Sequence, residues 1–217
     1  MASPLTTRRG SDVLAARRLG AIGLGYLAGT VPSADLAARA ATRGTADLRK
    51  QGSGNPGAAN ASKVLGAKWG FAVLAADIAK GHIAGRLGRR VAGEDLGIHL
   101  GATAAVVGHC WPIWTGFRGG KGVATSVGQV LTSFPAYFPI DVAVAVGTYV
   151  SPKLGDRAFV ANSVASVVWV ASSVVWWRRR LPNLWGPEPT VALPIAAATS
   201  SAIIWWKFVE GRRVRDE

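Results

Sequence analysis

The chain is poor in cysteine, histidine and acid. Of its 217 residues one is cysteine and three are histidine, while Asp and Glu together number 12 against 25 Lys and Arg. A lone thiol, Cys110, cannot close an internal disulfide; in its apolar run it reads as a buried, inert group. The histidines show no metal-ligand spacing. His82 and His99 read as polar residues at helix ends with no carboxylates clustered nearby, so neither a metal nor a cofactor is expected. Also missing is the period-2 alternation that a half-buried strand requires.

What is abundant is apolar residues. They make up 49% of the chain against 17% charged, with a mean hydropathy of +0.24, more apolar than an ordinary soluble domain. An all-α, polytopic membrane bundle is the expected fold class. The net charge of +13 is spread between apolar runs and builds no basic face with interleaved aromatics. Nucleic acid is therefore excluded as a partner in favour of anionic lipid and phosphate.

Windows long enough to cross a bilayer, about 20 residues each, fall at 19–41, 64–86, 98–117, 159–177 and 190–209. The stretch 122–150 is interrupted by Pro135 and Pro139 and reads as two short helices joined near 133–139, giving about seven spans; six, with one kinked helix there, is the alternative. Trp111, Trp114, Trp176, Trp177, Trp185, Trp205 and Trp206 fall near span ends, as in an interfacial aromatic belt. In the seven-span arrangement the larger share of Lys and Arg lies on the side of two Gly-rich loops and the C-terminus, which places that side in the cytoplasm by a narrow margin. Residues 1–16 read as a disordered basic leader, 17–210 as one membrane domain and 211–217 as a short charged tail. Secretory cleavage after Ala34 is rejected, because Pro32 would stand where a small residue is required.

The two loops carry the chemistry. Gly52-Ser-Gly-Asn-Pro-Gly-Ala-Ala-Asn60 and Gly116-Phe-Arg-Gly-Gly-Lys-Gly-Val-Ala-Thr125 combine tight-turning glycines with Ser53, Asn55, Asn60, Lys121 and Thr125, donors and charge that suit an oxyanion. Phosphate is the expected ligand. Gly52, Gly54 and Gly57 match a dinucleotide fingerprint formally, yet no strand precedes them. Gly119-Gly-Lys121 is followed by Gly122 where a Walker loop needs Ser or Thr. Ser53 and Asn55 also suit a helix cap. Asp77 and Lys80, three apart on an apolar helix, are expected to face the bundle and pair.

Further motifs stand at Gly29-Thr-Val-Pro-Ser33, Asp47-Leu-Arg49, Asp77-Ile-Ala-Lys-Gly81, Gly108-His-Cys-Trp-Pro112 and Tyr149-Val-Ser151. With the two loops, their order and spacing resemble the PlsY family of bacterial acyl-phosphate:glycerol-3-phosphate acyltransferases, over roughly residues 19–152. The resemblance implies a multi-pass protein of the bacterial inner membrane with its site facing the cytoplasm. It implies transfer of a fatty acyl group from acyl phosphate to the 1-hydroxyl of glycerol 3-phosphate, yielding lysophosphatidic acid and phosphate. The expected catalytic residues are Ser53, Lys121 and His109. Substrate and phosphate are expected at Arg49, Gly52, Gly54, Asn55, Asn60, Lys63, Gly119, Gly120, Gly122, Thr125 and Ser151. The chain departs from the family pattern at Ala59 and Lys63, where Thr and Arg are usual. It departs again at Trp205-Trp-Lys-Phe-Val-Glu-Gly-Arg-Arg213, which lacks the histidine of the family's last span. An acyl phosphate is already activated, so positioning two phosphates and a carbonyl is the main task; the base is His109 or a substrate phosphate oxygen. A non-catalytic protein that binds or transports a phosphorylated small molecule is the alternative.

Overall fold

In the computed structural model, residues 4–149 and 157–216 are described. Among them are nine α-helices and no strand: α1 Pro4–Gly29, α2 Ser33–Thr42, α3 Ala58–Leu65, α4 Ala67–Ala92, α5 Leu96–Cys110, α6 Val123–Ser133, α7 Phe138–Tyr149, α8 Arg157–Arg179 and α9 Ala192–Asp216. The all-helical class is as expected, but several boundaries differ. The window 19–41 is two helices, because the chain breaks at Thr30–Pro32 between α1 and α2. Pro32 has no N–H to continue the helix, and the residue before a proline is pushed out of the helical region. α1 starts at Pro4, inside the stretch 1–16 read as a disordered leader.

α1, α4 and α5 form the close-packed centre, and their contacts are made by small residues. A Cβ on Gly25 would lie 2.3 Å from the Gly101 carbonyl oxygen, and one on Gly29 would lie 2.1 Å from that of Ala105. Gly88 and Gly97 press on each other's backbone in the same way. Apolar tails give helices in lipid little reason to associate, so backbone approach of this kind supplies the packing. Gly23, on the same helix α1, faces open space. α6 joins through Gly128, against the Ile78 carbonyl of α4. Gln129 then ties three helices, donating to Thr103 on α5 (3.1 Å) and accepting from Ser200 on α9 (2.7 Å).

The chain turns by 116° between α6 and α7, at Phe134 and Pro135, within the expected 133–139 joint. Around this corner Phe134, Tyr137, Trp169, Leu193 and Ala197 form a second core that carries α8 and α9. Three helical segments, Leu96–Thr115, Ala158–Arg179 and Ala192–Arg212, are long and apolar enough to cross a membrane; the α6–α7 pair counts as a fourth if it is one bent span. Length and composition thus support three or four spans. α1 and α4 have 26 residues each, about 39 Å at 1.5 Å per residue, but carry too many charges to pass the same test.

The helices have two distinguishable ends. At one lie α2, α3, both Gly-rich loops and the C-terminal part of α9. Here Ala34, Ala37, Ala38, Leu48, Ala61 and Val73 pack the short helices onto α4. At the other, Arg18 pairs with Glu94 at 2.6 Å and Arg89 with Asp95 at 2.8 Å. The 180–191 connection folds under α6 there, with Asn183 donating to the Ser133 carbonyl and the Trp185 indole to that of Leu131.

Candidate functional site

The first loop is a braced turn. Gly52 and Gly54 have φ of +63° and +71°, a region open to glycine, and a Cβ on Gly52 would strike Asn60 Oδ1 at 2.1 Å. Asn60 is buried and spends its amide on the loop: Oδ1 accepts from the Ser53 N–H, and Nδ2 donates to the Leu48 and Gln51 carbonyls. The Gly54 N–H bonds to Gln51 O, and that of Gly57 to Asn55 O. These three amides donate within the loop and shape it.

The second loop shows the same economy. The N–H groups of Gly119 and Gly120 donate to the Cys110 and His109 carbonyls at the frayed end of α5, at 3.2 and 3.1 Å. Any side chain at these two positions would collide, with a Cβ 2.0 Å from His109 O at Gly119 and 2.3 Å from His109 Nε2 at Gly120. Glycine is required here for close approach to the end of α5. Arg49 couples the two loops: its Nε donates to the Arg118 carbonyl at 3.0 Å, and its Nη1 pairs with Asp35 on α2.

Between the loops, the ends of α1 and α5 and the middle of α4 lies a pocket. Its walls include Thr30, Asp35, Arg49, Lys80, His109, Gly119 and Gly120. The open volume is about 20 Å³, water-sized. Lys80 is 8% exposed; its ammonium lies 2.9 Å from Asp77 and donates to the Val31 carbonyl at 3.1 Å. Asp77, 2% exposed, also stands 3.6 Å from His109 Nδ1. The pocket thus holds two cations, each tethered to a carboxylate, with an imidazole beside them.

Of the residues expected at the site, the pocket brings together Arg49, His109, Gly119 and Gly120. Ser53, Gly52 and Gly54 are exposed on the first loop, with Asn55 half-buried beside them. Lys63 is exposed on α3. Lys121 sits one residue past the pocket wall, with Nζ 3.9 Å from the centre of the Phe208 ring. Gly122, at φ +87°, begins α6 against Cys110. Thr125 is fully buried where α6 meets Gly81 of α4. Ser151 lies outside the described residues. Missing from the expected set were Thr30, Asp35 and Lys80. The Gly29–Ser33 motif flagged the first; Lys80 was visible as a charge in an apolar helix. Lys207, from the divergent C-terminal segment, is 9% exposed, lies 5.4 Å from the Trp111 ring centre and pairs with Glu210.

A second, larger cavity of about 720 Å³ runs between α1, α5 and α9. Ile22, Leu100, Val107 and Ile195 are among its mostly apolar walls. Tyr26 also lines it, and its hydroxyl donates to the Trp111 carbonyl at 2.9 Å.

Residues 19–214 match the family described as glycerol-3-phosphate acyltransferase. A relative of that name from Desulforudis audaxviator is 42% identical over 171 residues, covering 75% of this chain and 81% of the relative. Another, from Thermoanaerobacter sp. strain X514, is 40% identical over 131 residues, 60% of this chain and 64% of that protein, so this match spans just under two thirds of the relative's length. Among solved structures, the chain resembles PlsY, an integral membrane glycerol 3-phosphate acyltransferase, in its glycerol 3-phosphate form. The TM-score is 0.71 at 25% identity, with 90% of each chain covered.

Proposed function

Because the chain belongs to the glycerol-3-phosphate acyltransferase family, we propose that it moves a fatty acyl group from acyl phosphate to the 1-hydroxyl of glycerol 3-phosphate, releasing lysophosphatidic acid and inorganic phosphate. The observation that carries this reading is the juxtaposition of a small cation-bearing pocket at the loop end with a long apolar cavity inside the bundle. One suits a phosphate and the other an acyl chain.

In this reading the glycerol oxygen attacks the acyl carbonyl carbon, the bond from that carbon to the phosphate oxygen breaks, and the hydroxyl proton leaves on the departing phosphate. A good leaving group makes a protein nucleophile unnecessary. The protein's part is to hold the reactants together and to offset the charge that grows on the carbonyl and phosphate oxygens. Since the amides of Ser53, Gly54, Gly57, Gly119 and Gly120 are engaged locally, side chains carry much of this task. Arg49 swings from Asp35 to phosphate, and Lys121, Ser53 and Asn55 close over the substrate from the rim. His109 supports the second loop, with Gly120 packed over its Nε2.

Seven crossings of the bacterial inner membrane suit the arrangement. α6 ends beside Asn183, while Phe159 at the start of α8 packs on Phe208 near the end of α9, with ring centres 5.9 Å apart. The chain between them, α7 included, therefore returns from one end of the bundle to the other. Both loops and the end of α9 then share the cytoplasmic face.

The test is turnover by purified protein in detergent, given labelled glycerol 3-phosphate with palmitoyl phosphate or palmitoyl-CoA. Lysophosphatidic acid should form from the acyl phosphate, and Lys121→Ala should lower the rate about a hundredfold, the loss of one preorganised cationic donor. A folded protein that binds glycerol 3-phosphate and yields no acyl product with either donor would point to a binding or transport protein instead.

A further inference from the structure

The charges in the middle of α4 are unexplained by the reading above. Lys80 and Asp77 are buried to 8% and 2% exposure on a helix that packs against α1, α5 and α6. An ionised side chain in a membrane interior is costly, so such residues are seldom kept for packing alone. A well-packed apolar pair of similar volume is often as stable as a buried ion pair or more so.

The geometry points to Lys80 as a ligand for a phosphate oxyanion, with Asp77 as the residue that positions it; this rests on the acyltransferase reading for the identity of the phosphate. An ammonium has three N–H donors and no acceptor. On Lys80 one donor goes to the Val31 carbonyl at 3.1 Å, while the ammonium is ion-paired with Asp77 at 2.9 Å. These two contacts leave one donor for the pocket that Lys80 lines with Arg49. The second cation is similarly disposed, since Arg49 reaches the same pocket while paired with Asp35. Each cation is paired with a carboxylate; a bound phosphate takes over part of that role. Asp77 fixes the ammonium from behind, and its carboxylate also faces His109 Nδ1.

A single Lys80→Met change strands the Asp77 charge in the interior and destabilises the fold, so the informative variant is Asp77→Asn/Lys80→Met, which removes both charges. Wild type and variant, purified in detergent, are compared for binding of inorganic phosphate and glycerol 3-phosphate by calorimetry, with thermal unfolding as the measure of fold. The variant should unfold within a few degrees of wild type and bind both anions about 10- to 100-fold more weakly, the size of one charge-assisted hydrogen bond. Asp77→Asn alone is the second test: it frees Lys80 of its counter-ion, so phosphate should raise its unfolding temperature by more than it raises that of wild type. A folded double variant that binds as wild type does, or an Asp77→Asn protein with unaltered protection by phosphate, would overturn the inference. These readouts need no acyl donor, so they stand even if no acyl transfer is found. In turnover, a KM increase confined to glycerol 3-phosphate or to acyl phosphate identifies which phosphate Lys80 holds.

Discussion

At the scale of single residues, the glycines have a different use from the one their loops advertise. Gly119 and Gly120 look like an anion nest in the sequence, yet their amides close onto the carbonyls of His109 and Cys110 and their missing side chains admit the end of α5. Asn60 likewise reads as a ligand and is found inside the loop it braces. Sequence spacing reveals which residues share a loop; it does not reveal whether a donor points outward or is consumed locally. If the departing phosphate takes the proton, His109→Gln should lower kcat less than tenfold in the acyl-phosphate assay. A loss of 10²–10⁴ would make the imidazole the base.

At the scale of elements, much was legible. Helical class, the 133–139 corner and the small-residue face of α1 follow from apolar run length, two prolines and glycine spacing. The break between α1 and α2 was not, because an apolar run looks continuous across Pro32 even though the helix cannot be. That break matters for the site: it turns the Val31 carbonyl toward Lys80 of α4 and brings Asp35 to Arg49. The close approach of α1 to α5 makes a sharp prediction. Gly29→Val would thrust its side chain into the Ala105 backbone, where even a Cβ would come within 2.1 Å. Overpacking of this kind costs typically about 1–3 kcal/mol, and more where backbone cannot yield. Thermal unfolding in detergent should show a clear drop in midpoint, while Gly23→Val, facing open space, should leave it near wild type.

At the scale of the whole molecule, the charge count alone left the orientation on a narrow margin, because basic residues occur at both ends. The structure sorts them by place: Lys63, Arg118 and Lys121 belong to the loop end, Arg18, Arg89 and Arg90 to the opposite one. In cells, with Cys110 replaced by serine, a cysteine at Lys63 should resist a membrane-impermeant maleimide added from outside, and one at Glu94 should react. The reverse pattern would invert the proposed orientation. The order of assembly is also set by the chain. α1, α4 and α5 press backbone to backbone and are complete by Cys110, so this trio can settle in the bilayer while the rest is still being synthesised, as domains generally do from the N-terminus. α9 arrives last, bringing the remaining wall of the 720 Å³ cavity. Until it docks, the nascent protein already has the small cation-lined recess but only an open trough beside it, so on the proposed acyltransferase reading the capacity to hold an acyl chain is the final property acquired during biogenesis.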